Sequence, residues 1–142
     1  MRDIPRSYAR LALAGRDVPV EVWPGLNDPL AGEFEGRRLD DYRRWAWATG
    51  SAEEAPGGGE SRHAVVARYA RAYARLLARP EESILCVLHA LPIAYALLAL
   101  EGTPPRARVD RAVAPAEPHV LTAEELRRVL AVLDGWCLRP TW

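Results

Sequence analysis

The most regular pattern in the chain is an apolar stripe of Val65, Val66, Tyr69, Tyr73, Leu76 and Leu77. Its three- and four-residue spacing predicts an amphipathic helix that Pro80 ends, with Arg68, Arg71 and Arg75 lying on the stripe or snorkelling beside it. A second stripe, Leu126, Val129, Leu130, Leu133 and Trp136, predicts a final helix opened by a capping box of Thr122 and Glu125. Leu39, Tyr42 and Trp45 predict a shorter helix that stops before Thr49 and Gly50. Asp3 as a cap, Pro5 in the first turn and Gly15 as a left-handed stop predict an opening helix over residues 6–14.

A different period governs two other segments. Val18, Val20 and Val22 alternate with Pro19, Glu21 and Trp23, which predicts a half-buried strand at a sheet edge, because Pro19 cannot donate to a ladder. Residues 83–88 are a compact run of strand formers and predict a buried strand, while Pro92 suits the first turn of a following apolar helix. His89 then falls at a strand-to-helix crossover. Residues 24–36 and the proline-rich residues 103–118 predict loops, the second with at most a short strand near residues 109–113. Strands separated by helices predict a layered α/β fold with ligands outside the carboxyl ends of the strands.

A chain of 142 residues suits one domain with a real core, here residues 1–142. Arginines number 19 against 19 acidic residues, so no net field favours nucleic acid or an anionic membrane as a partner. Every basic residue is arginine, which with abundant alanine suggests a GC-rich coding bias, although the guanidinium fork also suits phosphates and carboxylates. Cys86 and Cys137 are far apart, and neither a disulfide framework nor a metal or cofactor site is indicated. Residues 84–100 are nearly all apolar, but His89 and Pro92 interrupt them and the run is short for a bilayer. The start carries no apolar signal-peptide core, and the expected setting is the reducing cytoplasm.

Two residues have positions suited to chemistry. His89 can share its crossover with helix N-terminal amides that favour an anion such as phosphate; the alternative is a histidine satisfying a nearby carbonyl. Glu60 follows the triple glycine Gly57, Gly58, Gly59 and precedes a helix. It is either a capping carboxylate or a general acid, and an acid needs a raised pKa from burial or a bound anion. His63 and His119 lack a strand-end position and read as structural.

The order GGGES, amphipathic helix, then a strand ending ILCVLH resembles the second half of the histidine phosphatase superfamily, the phosphoglycerate-mutase-like proteins. DIPRS resembles the segment that delivers a phosphate-binding arginine, and WPGLNDPLAGEFEG resembles the family loop, with Asp28 in place of its usual glutamate. HALPIAYALL resembles the helix after the second histidine, where Ala90 and Leu91 depart from the family's usual glycines. The resemblance implies a three-layer α/β/α domain in which Arg6 binds the phosphoryl group, Glu60 protonates the leaving oxygen and His89 stabilises phosphoryl charge. Positioned charge of this kind is the main source of catalysis in phosphoryl transfer.

The family's hallmark Arg-His-Gly triplet, whose histidine is transiently phosphorylated, is absent from these residues. MRDIPRS lines up well inside the family domain, so the expected sheet is incomplete and lacks the N-terminal nucleophile strand, through a late start or a truncated gene. The resemblance implies hydrolysis of phosphate monoesters in the full family protein and near inertness in this chain. The alternative is a non-catalytic module that binds a phosphate ester or another protein. The expected ligand is a small phosphorylated metabolite or inorganic phosphate. The missing strand would also expose a sheet edge, inviting self-association into a homo-oligomer or marginal stability.

Overall fold

The computed structural model describes residues 4–142, with side chains from residue 7 onward. Among the described residues, five α-helices follow one another: α1 (Ile4–Ala12), α2 (Leu39–Ala48), α3 (Arg62–Leu77), α4 (Ala90–Leu100) and α5 (Ala123–Leu138). Short 3-10 turns, Pro24–Leu26 and Gly32–Phe34, punctuate the loop between α1 and α2. The expected cap Asp3 lies outside the described residues.

The amphipathic stripe of α3 does what its spacing predicts: Val65, Val66, Tyr69 and Tyr73 are buried. Ser61 caps this helix, its hydroxyl accepting from the Ala64 amide at 3.1 Å. Helix α4 is apolar nearly all round and buries every residue from 94 to 99, as a helix enclosed by others does. Across both lies α5, which contributes Val129, Leu133 and Trp136 to the shared core and starts with the expected Thr122–Glu125 capping box. Leu26, from the first 3-10 turn, closes one side of that core. A smaller cluster joins Tyr42 and Ala46 of α2 to Ala55, with Phe34 and Trp45 packed against it.

A buried hydrogen bond fixes where α4 begins relative to α3. The Tyr73 hydroxyl donates to the Pro92 carbonyl at 2.9 Å, inside the core, and so ties the first turn of α4 to α3. His89 is the residue just before α4, three positions from the tethered Pro92.

The expected three-layer α/β/α architecture is corrected by the structure. Among the described residues there is no strand, and the β-type pairing consists of one isolated antiparallel bridge between Glu54 and Ser61. Residues 18–23, 83–88 and 109–113 are irregular. A strand is defined by a neighbour that accepts its ladder hydrogen bonds, and these segments have none, so the alternation of Val18, Val20 and Val22 has no sheet face to fill. Val20 is 63% exposed and Leu85, expected inside a buried strand, is 66% exposed. Apolar packing falls instead to the helices. Among the described residues, no helix is long and apolar enough to cross a membrane.

Candidate functional site

His89 is the N-cap residue of α4, in extended backbone conformation (φ −77°, ψ 167°), and its side chain makes no capping hydrogen bond. Its Nδ1 lies 3.3 Å from the Asp28 Oδ2, and its side chain is only 12% exposed. The other ring nitrogen, Nε2, is buried and has no hydrogen-bond partner. A carboxylate on one imidazole nitrogen fixes the ring's orientation and leaves the second nitrogen for a ligand. The carbonyl-capped alternative for His89 is not what the structure shows.

Asp28 is delivered by the loop of residues 24–36, which Arg68 of α3 gathers in. The Arg68 Nη1 donates to the carbonyls of Pro24, Gly25 and Asn27 at 3.2, 3.0 and 3.0 Å, and Nη2 reaches the Asp28 carbonyl at 3.4 Å. The Tyr69 hydroxyl adds a bond to the Asn27 carbonyl at 2.9 Å. The same guanidinium grips Glu60 in forked fashion, Nε to Oε1 at 2.9 Å and Nη2 to Oε2 at 2.8 Å. The Leu30 amide also donates to Glu60 Oε2 at 2.9 Å, and the Glu60 amide returns a bond to the Leu30 carbonyl at 2.8 Å.

Glycines permit this close seam between the loop and residues 55–60. Gly32 has φ +58°, and a Cβ there would stand 2.0 Å from the Pro56 carbonyl oxygen. A Cβ on Gly59 would meet Ala55 Cβ at 2.5 Å and the Leu30 carbonyl oxygen at 2.7 Å. The triple glycine therefore serves contact as well as conformational freedom.

The two carboxyls respond to these surroundings in opposite directions. Burial pushes the Glu60 carboxyl upward, but the Arg68 hydrogen bonds, the Leu30 amide and the Arg68 charge together hold it below the ordinary glutamate value. Glu60 is therefore held toward its carboxylate form, whereas a general acid needs the opposite shift. Burial raises the Asp28 carboxyl, and the charges of His89, Arg68 and Arg62 oppose that rise without cancelling it.

Glu60 and His89 are thus joined through one chain of contacts, Glu60 to Arg68 to the Asp28 loop to His89. Arg6 lies in α1, but its side chain is outside the described residues. In the sequence Arg68 reads as one of several arginines beside an apolar stripe, and nothing local marks it out. Asp28 carried a signal, since it stands where the family loop usually has glutamate. His63 is structural: its Nε2 is 2.9 Å from the Cys137 carbonyl oxygen and its ring packs on Trp136. His119 lies 4.0 Å from Glu117, away from these contacts in the chain, with Nε2 buried.

A cleft of about 480 Å³ shares Arg68 with this site but includes neither Glu60 nor His89. Two of its other charged groups are already engaged, with Arg75 stacked over Trp23 at 4.3 Å and Glu21 paired with Arg79 at 2.9 Å. Arg71, also on its wall, is exposed to solvent.

Compared with known families, residues 5–134 match the model of the histidine phosphatase superfamily (branch 1). The chain belongs to the histidine phosphatase superfamily. It is 35% identical over 91 residues to the adenosylcobalamin/alpha-ribazole phosphatase of Salmonella typhimurium (strain LT2), a match covering 59% of this chain and 45% of that relative. The match thus spans less than half the length of the relative. No solved structure matches the chain significantly.

Proposed function

We propose that this chain is a phosphate-monoester-binding domain of the histidine phosphatase kind, and that these 142 residues bind such esters without turning them over. The observation that carries the reading is His89: its Nδ1 lies 3.3 Å from the Asp28 carboxylate, and Nε2 is buried without a partner at the N-terminus of α4. A phosphoryl oxygen at Nε2 supplies the hydrogen-bond partner that this buried nitrogen lacks. The first free amides of α4 add donors and the positive end of its dipole.

Glu60 fits the same scheme in two stages. In the structure it pairs with Arg68. A phosphate dianion brought close pushes its pKa upward, toward the protonated form that gives a proton to a leaving oxygen. Arg6, as the resemblance implies, is the further phosphate-binding arginine. In the full family arrangement these groups serve ester hydrolysis through a phosphohistidine. None of the three histidines here, His63, His89 and His119, stands in an Arg-His-Gly triplet, and loss of a covalent nucleophile lowers turnover on the order of a millionfold. Small phosphorylated metabolites are the ligand class, in keeping with the relative's name as an alpha-ribazole phosphatase. The cytoplasm is the proposed setting, supported by the free thiols of Cys86 and Cys137.

The test is to assay p-nitrophenyl phosphate hydrolysis and vanadate binding with the same preparation. Background turnover is expected, together with calorimetric vanadate binding that His89→Ala abolishes. Turnover far above background that depends on His89 would overturn the inert reading, and absence of vanadate binding would overturn the site. A second reading, an interaction module that self-associates, draws on the exposed Val18, Val20, Val22, Ile84 and Leu85. Light scattering showing a mass that rises with concentration would support it, and a monomer throughout would remove it.

A further inference from the structure

We propose that Arg62 is a further phosphate-binding residue of this site, a guanidinium held between Tyr42 and Tyr95 with no acidic partner among the described residues. The inference rests on the phosphate-site reading and deepens it. Arg62 is the first residue of α3, directly after the Ser61 cap. That is the positive end of a helix, where a cation is electrostatically disfavoured and an anion is welcome. Its Nη1 donates to the Tyr95 hydroxyl at 3.1 Å, and its guanidinium lies 5.8 Å from the centre of the Tyr42 ring. Among the described residues, no carboxylate comes within the 4.0 Å of an ion pair, unlike the pairing of Arg68 with Glu60.

A half-buried guanidinium that binds a neutral hydroxyl and an aromatic face keeps most of its charge uncompensated. Its placement is set by the two helices that build the site. Tyr95 stands on α4, the helix that His89 opens, and Arg62 stands two positions after Glu60. The positive charge of Arg62 is felt at the Asp28 carboxyl, alongside those of His89 and Arg68. Arg68 is consumed by Glu60 and the loop carbonyls, whereas Arg62 has one hydrogen bond, to Tyr95, and keeps donors for an incoming anion. The Tyr95 bond and the Tyr42 ring position the guanidinium, which lowers the entropy lost on binding.

The experiment is calorimetric titration of the 142-residue chain with inorganic phosphate, with Arg62→Met, Arg62→Lys, Tyr95→Phe and His89→Ala compared. Arg62→Met should weaken binding by about tenfold to a hundredfold, the effect of losing a charged hydrogen bond. Arg62→Lys should recover part of it, and Tyr95→Phe should weaken binding a few-fold by releasing the guanidinium. A purely structural Arg62 would lower the melting temperature without separating the phosphate affinities of the Met and Lys variants. Binding lost in His89→Ala but unchanged in Arg62→Met would overturn this inference and leave the phosphate reading standing. Absence of binding in the unaltered chain would overturn both. Should Arg62→Met fail to fold, unchanged affinity in Tyr95→Phe overturns the assignment.

Discussion

Replacing Arg68 by methionine should destabilise the protein by about 3 kcal/mol, far more than a typical arginine substitution. The side chains of Arg68 and Glu60 are each only 19% exposed, so the pair is largely withdrawn from water. Breaking such a pair from one side leaves an unpaired carboxylate and costs about 3–5 kcal/mol. The bonds to the carbonyls of Pro24, Gly25 and Asn27 are lost as well, but two of them lie in exposed surroundings where water replaces the donor. Methionine keeps much of the aliphatic packing against α3, which puts the expected value at the lower end. Urea unfolding followed by tryptophan fluorescence reads the change: with a slope of about 2 kcal/mol per molar, the midpoint should fall by roughly 1.5 M. In a Glu60→Gln background the same substitution should cost at least about 1 kcal/mol less, because the carboxylate it would orphan is gone. A loss under about 0.5 kcal/mol, or equal losses in the two backgrounds, would refute the view that Arg68 clamps the loop through Glu60.

Three further outcomes are expected. The Glu60 carboxyl is held below its ordinary value, so its stabilisation is complete above the unfolded carboxylate pKa and is lost as pH falls through the lower folded value. Urea midpoints measured on the acid side should therefore decline more steeply for the unaltered chain than for Glu60→Gln; parallel curves would contradict this. Asp28 has the opposite sign: its raised carboxyl favours folding below the unfolded pKa, and that contribution is lost as pH rises through the folded one. Asp28→Asn should accordingly raise the melting temperature near neutral pH while weakening vanadate binding, and a lower melting temperature would count against it. Gly32→Ala should cost about 2 kcal/mol or more in urea unfolding, since both its φ of +58° and the Pro56 carbonyl oppose a methyl group.

The helices were legible because their evidence is local. The stripe Val65, Val66, Tyr69, Tyr73 and the Thr122–Glu125 capping box each lie within a few turns, and both fold as their spacing predicts. Residues 18–23 and 83–88 misled because alternation or apolar content states only what a strand would need, while the ladder depends on a neighbour that neither segment finds. The candidate site was half legible. His89 and Glu60 stand out by their positions beside helix starts, and the GES and ILCVLH runs tie them to a family that residues 5–134 match. What joins them was hidden, because Arg68 bonds to carbonyls about forty positions away and Asp28 meets His89 across a still longer stretch. Such contacts leave no periodic trace. The direction of the Glu60 shift was equally hidden, since it depends on the Arg68 fork.

The most direct measurement of the phosphate site is a proton–nitrogen correlation spectrum of the imidazole rings during titration with inorganic phosphate. The Nε2 of His89 should shift saturably, while His63, bonded to the Cys137 carbonyl, and His119, near Glu117, stay in place. A titration in which His89 does not move, or moves no more than the other two, would contradict the assignment of this histidine as the ligand-facing group.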